Sequence, residues 1–195
     1  MSVAIIKYNA GNIFSVESAM RRIGREDVVV TDDPDVIRTA DRVIFPGVGE
    51  AGTTMKYLRE HKLDSLIRSL RQPTLGICIG LQLMCAYSEE GDTECLGIFD
   101  ERVVRFKSGE HKIPHMGWNT IQAKESPLFA GLEKDPHVYY VHSYCAQVGA
   151  HTIATTDYVQ PFSAALHRDN FYAVQFHPEK SALVGEQILR NFLEV

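Results

Sequence analysis

Long apolar runs are missing from this sequence. None reaches the length needed to span a bilayer, and the run near the start, Val3-Ala4-Ile5-Ile6, is too short for a signal peptide. Positive charge is also in short supply. Lysine and arginine number 20 against 25 aspartates and glutamates, for a formal net charge of −5. Arg21-Arg22 and Arg102 to Arg105 are short and mixed with other residues, so no nucleic-acid footprint is visible. The four cysteines, Cys78, Cys85, Cys95 and Cys145, form no C-x-x-C pair. Without a secretion signal, the expectation is reduced thiols in a cytoplasmic protein rather than disulfides. Repeats, low-complexity stretches and linkers are absent too. One domain over residues 1–195 is expected, with a sizeable core and neither a membrane nor a nucleic-acid partner.

What is present alternates. Val3 to Lys7 reads as a central strand, and Tyr8-Asn9-Ala10-Gly11-Asn12 as a turn. Phe14 to Gly24 has Val16, Ala19, Met20 and Ile23 on one helical face. Asp27 to Thr31 is a strand, Asp33-Pro34 opens a short helix, and Val43-Ile44-Phe45 is the third strand. One long helix is expected next, with an apolar face of Met55, Leu58, Leu63, Leu66, Ile67 and Leu70. Thr74 to Ile77 is the fourth strand, followed by a helix over Leu81 to Tyr87. This half predicts a parallel sheet with helices on both faces and active residues at the carboxyl ends of its strands. The second half reads as extended: Leu96 to Phe106, Trp118 to Gln122, Val138 to Tyr144, Thr152 to Thr156, Ser163 to Leu166 and Phe171 to Phe176. Arg168-Asp169-Asn170 is the hairpin turn before the last of these, and a helix around Leu183 to Leu193 closes the chain.

The stretch that organises the chain is Gly76-Ile77-Cys78-Ile79-Gly80, a G-x-C-x-G pattern at a strand-to-helix junction. It is the thiol form of a nucleophile elbow, in which side chains on either flank would clash. Alone it reads more readily as a packed junction. Gly47-Val48-Gly49-Glu50-Ala51-Gly52 matches G-x-G-x-x-G, but it follows the third strand and the next strand ends in Cys78 rather than an acid, so dinucleotide binding is disfavoured. A glycine-rich turn beside the thiol fits better as a source of backbone N–H donors for an oxyanion. Among eight histidines, His111 and His115 flank Pro114, which argues against a metal pair. His177 stands at the end of a strand with Glu179 two residues on. In extended backbone, enforced here by Pro178, both point to one side, so Glu179 can hold one ring nitrogen and leave the other for Cys78.

At this point the chain resembles the class I (triad) glutamine amidotransferases, through Gly76 to Gln82, Pro46 to Gly49 and Gln175 to Glu179. Within that class it is similar to the glutaminase subunits of imidazole glycerol phosphate synthases. Tyr8 to Asn12, Pro114-His115-Met116-Gly117-Trp118-Asn119 and Tyr140 to Tyr144 carry that closer likeness. The resemblance implies a flavodoxin-like α/β fold, a central and mostly parallel sheet flanked by helices, with antiparallel strands added in the second half. It implies hydrolysis of L-glutamine by Cys78, His177 and Glu179, with oxyanion donors from the backbone of Val48 and Ile79. The substrate pocket would be formed by Gly47, Gly49, Gln82, Glu90, Ser143 and Tyr144, and no cofactor or metal is called for. It further implies a heterodimer with a (β/α)8-barrel cyclase, which receives the ammonia and makes imidazole glycerol phosphate and aminoimidazole carboxamide ribonucleotide for histidine biosynthesis. Asn12 and Lys180 would face that partner.

Trp118, the only tryptophan, reads either as an interface anchor or as a core residue. Three functions remain open on the sequence: the partner-dependent glutaminase, another triad amidotransferase or thiol hydrolase of γ-glutamyl compounds, and a non-catalytic flavodoxin-like binding module.

Overall fold

The computed structural model describes residues 1–8, 12–107, 109 and 111–195. Asn9, Ala10 and Gly11 of the expected first turn lie outside the described residues. The first half runs β1 (Val3–Ile6), α1 (Ile13–Arg22), β2 (Val28–Thr31), α2 (Pro34–Thr39), β3 (Arg42–Phe45), α3 (Ala51–Glu60), α4 (Leu63–Ser69), β4 (Thr74–Ile77) and α5 (Ile79–Met84). The second half runs β5 (Tyr87–Ser88), β6 (Thr93–Glu94), β7 (Arg102–Arg105), β8 (His115–Thr120), β9 (Gln122–Ala123), β10 (His137–His142), β11 (Tyr144–Ala146), β12 (Thr152–Asp157), β13 (Pro161–Arg168), β14 (Phe171–Val174) and α6 (Ala182–Glu194).

The main sheet has eight strands in the order β2-β1-β3-β4-β14-β13-β12-β9. The pairs from β2 to β14 are parallel. The hairpin β13–β14 and the pairs beyond it are antiparallel. Alternate side chains feed two cores, as period-two geometry requires. Val3, Ile5, Leu75, Ile77 and Val174 pack with Val16 and Met20 of α1 and with Ile188, Leu189 and Phe192 of α6. Ala4, Ile6, Phe45 and Ala173 pack with Met55 and Leu58 of α3, Leu66 and Ile67 of α4, and Leu81 of α5. A strand buried on both faces reads as a nearly continuous apolar run; β1, β4 and β14 are buried at every position.

Three expectations need correction. The single long helix is two, α3 and α4, broken at Lys62, which adopts left-handed φ of 58°. The apolar spacing carries the reason. Leu58 and Leu63 are five residues apart, which would turn Leu63 off the buried stripe of a continuous helix. The kink returns Leu63 and Leu66 to the core, where both are buried. The helix after Cys78 ends at Met84 rather than Tyr87. Residues 96–99, expected to be extended strand, instead cap it. The N–H groups of Leu96, Gly97 and Ile98 donate to the carbonyls of Leu83, Cys85 and Met84, satisfying the helix-end acceptors. One loop therefore accounts for both differences.

Candidate active site

Because β3 and β4 pair with Phe45 opposite Gly76, the glycine-rich turn after β3 lies beside the elbow after β4. β14 pairs with β4 on the other side, Val174 opposite Ile77, and delivers His177 to the same sheet edge. Cys78 sits at φ 54°, ψ −105°, a conformation costing on the order of 1–3 kcal/mol for a residue with a side chain. Its N–H donates to the Val174 carbonyl at 2.8 Å, fixing the elbow to β14. The tightness of the turn is measured by Gly80, where a Cβ would lie 2.1 Å from the Phe45 carbonyl oxygen.

His177 is fully buried. Its N–H donates to the Tyr139 carbonyl at 2.9 Å and its own carbonyl accepts from Ser181 Oγ at 2.7 Å. Its φ of −101° and ψ of 96° are extended, as a following proline favours. Nδ1 lies 2.7 Å from Glu179 Oε1, while the buried Nε2 has no hydrogen-bond partner among the described residues. Burial works against protonating the ring, but the Cys78 thiol and the Glu179 carboxylate outweigh it and raise the pKa to about 10.

A cavity of about 290 Å³ opens over Cys78. Val48, Gly49, Ile79, Gln82 and Glu90 line it on the elbow side, and Ser143 and Tyr144 on the other, with Pro114, Val141 and His142. Glu90 is half-buried, and burial raises its pKa, although its Oε2 accepts from the Ala51 N–H at 2.9 Å. Gly47 does not line the cavity. It sits beneath Tyr8, whose Oη occupies the place of a Cβ at 1.9 Å and donates to the Pro46 carbonyl. The dinucleotide alternative fails on charge. The first N–H groups of α3, where a phosphate would dock, are filled by the carboxylates of Glu50 and Glu90. A larger cleft of about 1090 Å³, between β9 and the turn Pro127–Phe129, contains none of the expected site residues.

Asn12, expected at a partner surface, also reaches the triad. Its Nδ2 donates to Glu179 Oε1. Trp118 is 54% exposed, so it is not a core residue. Its ring meets Tyr139 edge-on at 6.0 Å, and the exposed Lys180 ammonium stands 6.0 Å from the same Tyr139 ring. Gln175 was not expected in the site, yet its Nε2 lies 3.7 Å from Cys78 Sγ. Among the described residues no group of three or more His, Cys, Asp or Glu is arranged to hold a metal ion, and no helix is long and apolar enough to cross a membrane.

A buried thiol at a strained elbow, with a carboxylate-anchored histidine beside it and a small cavity over it, is the geometry of a thiol amidohydrolase. The sequence model of the class-I glutamine amidotransferases matches residues 5–195, and the chain belongs to that family. It is 60% identical over 197 residues to the imidazole glycerol phosphate synthase subunit HisH of Bacteroides fragilis, covering 100% of both chains. It is 45% identical over 201 residues to the subunit of the same name from Vibrio cholerae, covering 100% of this chain and 98% of the relative. The fold is similar to a crystal structure described as a glutamine amidotransferase, with a TM-score of 0.76 at 19% identity, covering 100% of this chain and 98% of that one.

Proposed function

We propose that residues 1–195 form one domain that acts as the glutaminase subunit of an imidazole glycerol phosphate synthase in the cytoplasm, with Cys78 as nucleophile, His177 as acid–base and Glu179 as orienter. The observation that carries the reading is the 2.7 Å contact of His177 Nδ1 with Glu179, which leaves the other ring nitrogen to the thiol at the floor of the cavity. The family and the names of the relatives support glutamine as the substrate and a synthase as the assembly.

The Cys78 sulfur attacks the side-chain amide carbon of L-glutamine. The oxyanion takes the N–H groups of Ile79 and Val48, each such donor contributing on the order of 3 kcal/mol. His177 passes its proton to the departing nitrogen, and ammonia leaves a glutamyl thioester. His177 then draws a proton from water as it attacks, and glutamate and the thiol return. Glu90 is placed to take the substrate ammonium, whose charge offsets what burial costs the carboxylate. Gln82, Gly49, Ser143 and Tyr144 shape the remaining wall.

Ammonia is useful only if it is delivered before it is lost to water. The partner is a (β/α)8-barrel cyclase, bound as a heterodimer over the face carrying Trp118 and Lys180, which uses the ammonia to make imidazole glycerol phosphate and aminoimidazole carboxamide ribonucleotide. The test is ammonia and glutamate release by the chain with and without that cyclase and its ligand. Cys78→Ala should abolish glutamine-dependent synthesis while added ammonia still supports the cyclase. Unchanged glutamine turnover in Cys78→Ala would sink the assignment, and so would the lack of any effect of the cyclase.

A further inference from the structure

The hydrogen bonds behind the cavity can be oriented from one fixed point, the Tyr144 carbonyl, which can only accept. Gln82 stands 2.9 Å from it and must present Nε2 there. The same Nε2 is 3.0 Å from the Gln175 side chain, so Gln175 turns its Oε1 toward Gln82. Its remaining atom, Nε2, then faces Cys78 Sγ at 3.7 Å. The orientation of Gln175 is thus imposed by its neighbours.

The fixed point is itself held from behind. His142 Nδ1 lies 2.8 Å from the Tyr144 carbonyl and carries a hydrogen to it. Burial keeps this ring neutral, lowering its pKa to about 3, so its Nε2 accepts. His115, also lowered by burial, to about 4, donates to it from Nδ1 at 3.0 Å. Nε2 of His115 then accepts from Asn119 Nδ2, 3.4 Å away, which also donates to the Asp157 carbonyl at 3.0 Å. Two series therefore meet at the Tyr144 carbonyl: Asn119, His115 and His142 donate toward it from behind, and Gln82 donates to it from the front while also donating to Gln175, whose amide ends on sulfur.

We propose that Gln175 is a further catalytic residue, whose side-chain amide donates to the Cys78 sulfur and holds the thiolate in place for attack. The proposal rests on Cys78 being the nucleophile. Gln175 is fully buried, so no water competes for the amide, and a hydrogen bond to a charged acceptor is stronger than one to a neutral partner. The titratable groups around the sulfur are His177 at the end of β14, Tyr8 after β1, and Glu90 and His142 in the cavity wall. His177 supplies positive charge that is spent when its proton leaves with ammonia. Gln175 carries no proton to lose, so it supports the sulfur in both states of the histidine.

The experiment reads the ionisation of Cys78 directly, by the pH dependence of its alkylation with iodoacetamide, followed by peptide mass spectrometry. Neither glutamine nor a partner is needed, so loss of glutaminase activity would count against the proposed function and leave this readout intact. Gln175→Met removes the donor and should raise the alkylation midpoint by about one pH unit. Gln175→Glu keeps an acceptor for Gln82 but turns a carboxylate toward the sulfur, and should raise it further. An unmoved midpoint in either folded variant overturns the proposal. On the unsubstituted chain, the Gln175 side-chain amide resonance should titrate with the Cys78 midpoint and lose that transition in Cys78→Ala. An amide resonance indifferent to Cys78 overturns the proposal whether or not the variants fold.

Discussion

Asn12 Nδ2 donates to the same carboxylate oxygen of Glu179 that holds His177 Nδ1. The histidine nitrogen carries its own hydrogen toward Glu179, so the 3.4 Å separation of Asn12 Nδ2 and His177 Nδ1 brings two donors to one acceptor. Asn12 therefore positions the orienter and has no direct part in proton transfer. Asn12→Ala should lower kcat about tenfold or more, the worth of a hydrogen bond to a charged group. KM for glutamine should change little, because Asn12 does not line the cavity. Steady-state kinetics separate the two.

The raised pKa of His177 has a consequence for stability. Its value in the folded chain, about 10, lies above that of an unfolded histidine, about 6.5. The folded state binds the proton more tightly, so this contribution is complete below the unfolded value and is lost as pH rises through about 10. Glu179→Gln removes one of the groups that raise the pKa. Thermal melts should show a deficit for the variant at neutral pH that narrows as the alkaline limit is approached. A deficit constant with pH would contradict this.

Glu90 is half-buried and already strained toward its neutral form by burial. The substrate ammonium should lower its pKa again. Glu90→Gln should raise KM for glutamine by about tenfold to a hundredfold. Cys78 should still be alkylated by iodoacetamide in the variant, showing that the nucleophile is retained. A loss confined to kcat would argue against an ammonium contact.

Trp118 touches Tyr139 at its edge but is more than half exposed. Trp118→Ala should leave the melting temperature of the isolated chain within about 2 °C, as for most exposed substitutions. It should weaken binding of the barrel cyclase by about 2 kcal/mol, the level of an interface hot spot. Calorimetric titration checks the second figure, and a large melting shift would return the ring to a structural role.

The strands of the first half could be read because each is a short, mainly apolar run between turn residues, and the alternation left one class of sheet. His177 and Glu179 could be paired because extended geometry acts over two residues. What was hidden is what acts across long sequence separations. Asn12 and Glu179 are 167 residues apart, and no local pattern marks their contact. Gln175 lies inside a motif that drew attention to its neighbours. Its amide direction depends on Gln82, 93 residues away, and through it on a backbone carbonyl. The break between α3 and α4 was different: the five-residue gap from Leu58 to Leu63 was present in the sequence as a phase slip in the helical stripe.

Cys78 and Gln175 stand 97 residues apart along the chain, yet the strand that ends beside Gln175 lies in the interior of the main sheet, between β4 and β13. During synthesis the thiol's half of the sheet is made first and waits with the β4 edge open. Only when β14 inserts do the base, the orienter and the amide donor arrive together. Assembly of the catalytic groups is thus tied to completion of the sheet, and a chain stalled before β14 would carry the cysteine without the means to use it.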